Sequence, residues 1–329
     1  MSKNKIKHIV QIKMNESGVK GVIETGIKGV QLFKVTESMR CAPAVYEPCV
    51  VAIVNGTKEA ILDGKHFIYD ENHYMCCAMS MPVEAGTPQA SLDNPLLGVM
   101  ISLDTKVMTE LAIEMAAGGL HKPSASSSQQ TDSFQTASAQ NINHQTASHQ
   151  TNNHHTASQG LTLAQWDDRF TDALLRLLQL VDNPEGAFLL GDGRLRELYY
   201  AVLKGGAGES AIRAFGIGNA IARSIEYLSS RLHEVVTIDD MAAQVGMSRA
   251  VLHRKFKQAT SMSPIQFVKA MRLNTAAMKI AGGMNVNTAA MEVGYQSSSQ
   301  FSREFKRLYG QSPKQWSQAK TIPEGLAVH

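Results

Sequence analysis

A chain of 329 residues, 43% hydrophobic and 19% charged, has the length for two domains and the composition of a globular protein. No apolar run is long enough to span a bilayer, and the basic start MSKNKIKHIVQIK lacks the continuous apolar core of a signal peptide, so neither a membrane protein nor a secreted one is expected. The formal net charge of +3 is uneven: residues 219–320 carry 14 Lys and Arg against 6 Asp and Glu, which leaves the remainder net acidic and makes the C-terminal third the part that seeks phosphate.

From about Val22 to Asp104 the chain reads as short strands with turn punctuation. Cys49 to Val54 is apolar and β-branched, Asn55-Gly56 is a turn, and Glu59 to Leu62 leads through the hairpin signal Asp63-Gly64 into Lys65 to Tyr69. His73 to Ser80 and Leu96 to Leu103 supply further strands, and strands at this spacing suggest a small barrel or sandwich. All four cysteines, Cys41, Cys49, Cys76 and Cys77, lie in this part without the paired CxxC spacing of a zinc site, as in a reduced cytosolic protein. On a strand, Cys76 and Cys77 point to opposite faces, so at most one is expected to line an interior cavity. His66 and His73 stand seven residues apart without a His-x-His cluster, and no nucleophile elbow, phosphate loop or dinucleotide fingerprint appears. The expectation is no enzyme, no catalytic residue, no metal site and no cofactor.

Lys106 to Ala117 reads as an amphipathic helix ending at Gly118-Gly119. From His121 to Gly160 the composition collapses into Ser, Thr, Gln, Asn, Ala and His with a ten-residue unit, QTASAQNINH then QTASHQTNNH, and such a stretch is expected to be a disordered insert. Order resumes at Leu163. Trp166, Phe170, Ala173, Leu174, Leu177 and Val181 form one apolar stripe on a helix ending near Asn183-Pro184, and a second helix runs from about Arg194 to Lys204. These helices either pack on their own β unit or pair with a twin across a dimer axis. KGGAGES reads as a flexible joint.

One pattern is then written twice. Ala242, Val245, Gly246, Ser248, Arg254, Phe256, Lys257, Ser263, Pro264 and Gln266 recur as Ala290, Val293, Gly294, Ser297, Arg303, Phe305, Lys306, Ser312, Pro313 and Gln315, with one residue inserted just past the second glycine. Each copy has the logic of a helix-turn-helix: a glycine suited to a left-handed helix end, a serine cap, and an apolar face four residues apart. Leu252 and Phe256 inward turn Ala250, Arg254 and Lys257 outward with His253 at the edge. Phe301 and Phe305 inward turn Ser299, Arg303 and Lys306 outward, flanked by Gln300. These eight residues, Ala250, His253, Arg254, Lys257, Ser299, Gln300, Arg303 and Lys306, are the candidate contacts to double-stranded DNA.

Over roughly Ala220 to Ala319, and most closely in MSRAVLHRKFK, SPIQFVKAMRLNTA and VGYQSSSQFSREFKRLYGQSP, the sequence resembles the AraC/XylS family of bacterial transcriptional regulators. It departs at Ser261, where that family usually has glycine. The resemblance implies an α+β multidomain protein with a cupin-like β-barrel and dimerisation helices, followed by an all-α domain with two helix-turn-helix units. The expected division is 1–120 for the barrel, 121–160 for the insert, 161–210 for the dimerisation helices and joint, and 219–320 for the DNA-binding domain. The expected protein is a cytoplasmic homodimer, an activator contacting DNA and RNA polymerase, with a small-molecule effector and no membrane partner. The alternatives weighed are a cupin-like enzyme fused to a DNA anchor, and an alkyl-acceptor repair protein, which needs a cysteine-ligated zinc motif that the sequence lacks.

Overall fold

The computed structural model describes residues 2–19, 21–117, 160–216 and 219–318. Helix α1 (Ser2–Ser17) opens the chain, followed by β1 (Gly21–Glu24), β2 (Val30–Val35), β3 (Met39–Tyr46), β4 (Cys49–Asn55), β5 (Lys58–Leu62), β6 (Lys65–Tyr69), β7 (His73–Cys77), β8 (Met81–Thr87) and β9 (Leu96–Ser102). Next come α2 (Thr105–Ala117), β10 (Leu161–Gln165), α3 (Asp168–Leu178), α4 (Pro184–Lys204) and α5 (Gly208–Phe215). The C-terminal part is helical: α6 (Ala220–Ser229), α7 (Ile238–Gln244), α8 (Arg249–Thr260), α9 (Pro264–Ala281), α10 (Val286–Glu292), α11 (Ser298–Tyr309) and α12 (Pro313–Gln318). The low-complexity stretch read as a disordered insert lies, over 121–159, outside the described residues.

The strands do not close into a barrel. They form a six-stranded antiparallel sheet, β1-β2-β9-β4-β7-β10, and a four-stranded one, β3-β8-β5-β6. The chain changes sheets between β3 and β4 at the Glu47-Pro48 corner, where proline has no N–H to continue a ladder. Helices α1 and α3 cover the outer face of the larger sheet. Ile6, Val10 and Met14 of α1 are buried, and the Phe170 ring of α3 stacks on Tyr74 of β7 at 4.0 Å. Because both faces of that sheet are covered, Cys76 and Cys77 are both buried although they point opposite ways: Cys76 shares the outer face with Tyr74 under α3, and only Cys77 is on the face turned to the other sheet, as the strand alternation implies.

Several boundaries differ from the sequence reading. Strand β10 pairs with β7 ahead of the Trp166 helix. Asn183-Pro184 starts α4 instead of ending its predecessor: the Asn183 side chain caps Gly186 N–H and Pro184 takes the first turn, where a missing N–H costs nothing. The joint KGGAGES is partly helical, since α5 begins at Gly208. The apolar stripes read as possible dimer contacts are used within the chain: Phe170, Leu174 and Leu177 of α3, and Leu198 and Val202 of α4, are fully buried. Among the described residues no helix is long and apolar enough to cross a membrane.

Candidate DNA-binding surface

The two copies of the repeat fold by the same local rules. Helix α7 opens with a capping box in which Thr237 and Asp240 satisfy each other's backbone N–H. It ends at Gly246, whose φ of +65° and the Met247 N–H to Ala242 carbonyl bond of 2.9 Å turn the chain toward α8. The second copy repeats the turn with Gly294 at +84° and Tyr295 N–H to Ala290 carbonyl at 2.9 Å. Ser248 and Ser297 cap the following helices, α8 and α11. Tyr295 takes the place of Met247 after the turn glycine, and the inserted residue is Gln296 ahead of the Ser297 cap; the Tyr295 ring packs edge-on to Phe301 and its hydroxyl donates to Glu304 at 2.8 Å.

The repeated Ser-Pro-x-Gln-aromatic signature has a structural cause. Ser263 and Gln266 form a capping box at the start of α9, proline occupies the first turn, and the aromatic residue that follows is buried. Ser312 and Gln315 do the same for α12, with the Ser312 N–H to Gln315 Oε1 distance at 2.9 Å. The aromatic residue then locks the preceding helix, α8 or α11. Phe267 meets Phe256 at 5.1 Å with an 80° interplanar angle, and Trp316 meets Phe305 at 5.9 Å and 75°.

Leu252 and Phe256 on α8, and Phe301 and Phe305 on α11, are fully buried, which turns the opposite faces to solvent. Ala250, His253, Arg254 and Lys257 are all exposed on α8, and Ser299, Gln300, Arg303 and Lys306 are all exposed on α11. Among the described residues none of Arg254, Lys257, Arg303 and Lys306 is held in an ion pair, so these cations are available to a ligand. Two of the polar candidates have local partners: Ser299 Oγ lies 2.9 Å from the capping Ser297 Oγ, and Gln300 Nε2 reaches Glu304 at 3.5 Å. Burial pushes the Glu304 carboxyl up, but the donors Tyr295 and Lys269 outweigh it and hold the group below the ordinary carboxylate range. Glu304 is therefore an anion that pins α11 to α9. Lys255 and Arg307, which the residue-by-residue reading left out, are also exposed and extend the basic surface, and the local charge count is the signal for them.

The helical domain is docked on the β unit through α9. Asn274, 5% exposed, donates through Nδ2 to the carbonyls of Ala44 and Val83 at 2.8 and 2.9 Å, and its Oδ1 accepts from the Tyr309 hydroxyl at 2.7 Å. One side chain thus joins β3, β8, the helix linking the two units, and the end of α11. Beside the joint to α6, a cavity of about 500 Å³ lies among the Glu47-Pro48 corner, Met79, α2, Phe215 and α6, with Arg223, Glu226 and Glu47 as its charged lining.

Residues 26–210 match the family described as the AraC-type transcriptional regulator N-terminus, and residues 241–319 match a helix-turn-helix domain. The HTH-type transcriptional regulator MtrA of Neisseria gonorrhoeae is 41% identical over 80 residues, which is 24% of this chain and 27% of that protein. The regulator ArgR of Pseudomonas aeruginosa is 25% identical over 163 residues, 46% of this chain and 50% of that protein. The chain thus matches about a quarter to a half of the length of these curated relatives. Apo ToxT from Vibrio cholerae aligns over 89% of this chain and 98% of its own with a TM-score of 0.51 at 11% identity, a likeness of fold.

Proposed function

The chain belongs to the AraC-type transcriptional regulators, and on that premise we propose that it is a sequence-specific, effector-responsive DNA-binding regulator acting in the cytoplasm as a homodimer. Its α8 and α11 enter successive major grooves on one face of the duplex, one helical turn of ~34 Å apart. The observation that carries this reading is the pair of exposed, unpaired basic faces on two helices built by the same caps and the same aromatic lock. Arg254 and Arg303 read base edges, Lys257 and Lys306 hold phosphate, and Ala250, His253, Ser299 and Gln300 complete the two faces. The β unit of residues 1–120 carries the effector, 161–210 forms the helical dimerisation segment and joint, and 219–320 binds DNA and meets RNA polymerase as an activator. No catalytic step is assigned.

The dimer face we propose is the start of α4, where Phe188, Leu189 and Leu190 are 88%, 67% and 51% exposed. Two antiparallel copies centred between Leu190 and Gly191 set Phe188 against Gly193, which has nothing within 4 Å of its absent side chain, and bring Glu185 beside Arg196 of the other copy.

The test of DNA readout is a randomised-operator selection read by sequencing. Arg254→Ala and Arg303→Ala are each expected to cost ~1–3 kcal/mol and to relax base preference in separate halves of the site. Lys257→Ala is expected to weaken all sequences alike and to lower the salt slope by about one. If both arginine variants relax the same base pairs, or neither relaxes any, the two-groove reading is wrong.

A further inference from the structure

Two buried thiols face each other across one strand pair. Cys49, the first residue of β4, and Cys77, the last of β7, are direct partners in the antiparallel register. Partners so placed have Cα atoms about 4.5–5.5 Å apart and side chains on one face, within the roughly 4.4–6.8 Å that a disulfide spans. The same geometry sets the other two cysteines aside. Cys76 stands opposite Val50 and points to the outer face of the sheet, so it turns away from both Cys49 and its neighbour Cys77. Cys41 lies on β3 of the other sheet, beside Glu59. All four are free thiols.

The pair adjoins the cavity beside the joint to α6. Glu47 and Pro48, just before Cys49, and Ala78, Met79 and Ser80, just after Cys77, line it together with Arg223 and Glu226 of α6. Both thiols are buried, which bars a bulky reagent and leaves the cavity as the near approach for a small one. Burial, then the charge of Cys76, pushes Cys49 above the ordinary thiol range, and burial, then the charge of Cys49, does the same to Cys77. Both are therefore protonated at neutral pH, and the Cys77 S–H donates to the Met79 carbonyl at 3.1 Å. Since the thiolate is the nucleophile, the first oxidation is slow at neutral pH. The second is not, because the opposite thiol is already held in place and the ring-closing step is intramolecular. Closing the disulfide removes the S–H that bonds Met79, and a buried carbonyl without a donor is costly. The segment that must shift to find one, 78–80, is the segment that faces α6 across the cavity.

We infer that Cys49 and Cys77 are a reversible disulfide site, oxidised by a small hydroperoxide and reopened by a dithiol, and that its closing displaces the 78–80 segment beside α6. The Cys77 sulfur attacks one oxygen of hydrogen peroxide, the O–O bond breaks, and the released hydroxide leaves as water with the Cys77 proton. The Cys49 sulfur then attacks the sulfenic sulfur of Cys77, the S–O bond breaks, and the second hydroxide leaves as water with the Cys49 proton. Two thiols are oxidised and one peroxide is reduced to two waters. The site is independent of the reading of α8 and α11 as DNA contacts. The experiment treats the full chain with hydrogen peroxide, alkylates the remaining thiols with iodoacetamide after denaturation, and maps linked peptides by mass spectrometry. A link between Cys49 and Cys77 is expected, reversed by dithiothreitol, forming at a rate that rises about tenfold per pH unit from pH 7 to 9 because thiolate is scarce throughout. Cys77→Ala is expected to abolish it without a new link at Cys41 or Cys76, and the map on wild type stands whether or not that variant folds. Hydrogen exchange of peptides covering 78–80, where the Ala78 N–H bonds the Gly160 carbonyl at 2.9 Å, is expected to quicken several-fold on oxidation and to recover with dithiothreitol. A link between any other pair, sulfinic acid on Cys77 with no link, or a rate that levels near pH 8.5, the ordinary thiol value of an unfolded chain, overturns the inference. A linked chain with unchanged exchange at 78–80 overturns it as well.

Discussion

Replacing Ser261 by glycine is expected to stabilise the DNA-binding domain by about 0.5–1 kcal/mol. Ser261 ends α8 with φ +65° and ψ −8°, and its counterpart in the second copy, Gly310, ends α11 with φ +74° and ψ −12°. The two positions make the same bond, Ser261 N–H to Lys257 carbonyl and Gly310 N–H to Lys306 carbonyl, both at 2.9 Å. A residue with a Cβ pays roughly 1–2 kcal/mol to sit in the left-handed region, and glycine returns about 0.4–1 kcal/mol of that through the freer unfolded chain. Ser261 Oγ makes no hydrogen bond among the described residues, so nothing in the side chain offsets the strain. The reciprocal change, Gly310→Ala, meets open space, so its cost is backbone strain alone and of the opposite sign. Urea denaturation of both variants against wild type measures the pair. For a domain of about 100 residues the gain corresponds to a melting shift of several degrees. A Ser261→Gly variant equal to or less stable than wild type, with Gly310→Ala neutral, would refute the reasoning.

Phe188→Asp is expected to shift the full chain to monomer in analytical ultracentrifugation while leaving its thermal melt unchanged, because the ring is almost wholly exposed; an unaltered dimer excludes the α4 face. Asn274→Ala strands two buried carbonyls and the Tyr309 hydroxyl, at a cost of about 1–3 kcal/mol for each group that finds no water. Thermal unfolding is expected to separate into two transitions, and a single unchanged transition means that Asn274 does not hold the domains together.

The C-terminal domain was legible because its determinants are local. Serine caps, positive-φ glycines and aromatic residues four apart all act within one turn of helix, and two copies in register raise a weak pattern to a strong one. The Asp63-Gly64 hairpin was legible for the same reason, since both residues take positive φ, +50° and +74°. The partition of the strands was not. Strand β4 bonds to β9 and β7, and β3 to β8, and nothing in the separate strands specifies those distant partners. Helix α4 was read ten residues short because Gly186, Gly191 and Gly193 look like breakers, whereas burial of Gly186 and Gly191 and the Asn183 cap carry the helix through them. Asn274 carried a faint signal, a polar residue among Leu273, Ala276, Ala277 and Ile280, but its acceptors lie some 190 and 230 residues away in sequence.

That asparagine also sets how a change in the β unit can bear on α11. Tyr46 and Ala44 lie two residues apart on β3, so both project from one face of the strand toward the interior that holds Lys58 and Tyr69. The Ala44 carbonyl is an acceptor of Asn274, and Asn274 in turn accepts from Tyr309 at the end of α11. A shift of β3 therefore strains or relieves the bonds that anchor the end of α11, while α8 has no such tie to the β unit through Asn274. A ligand of the β unit can bias DNA binding only by the difference in its affinity for the docked and undocked arrangements. The few hydrogen bonds at Asn274 set the scale of that difference at about 1–3 kcal/mol, a five- to hundredfold effect on the fraction docked. Coupling of that size would bear on the end of α11, to which Asn274 is bonded through Tyr309.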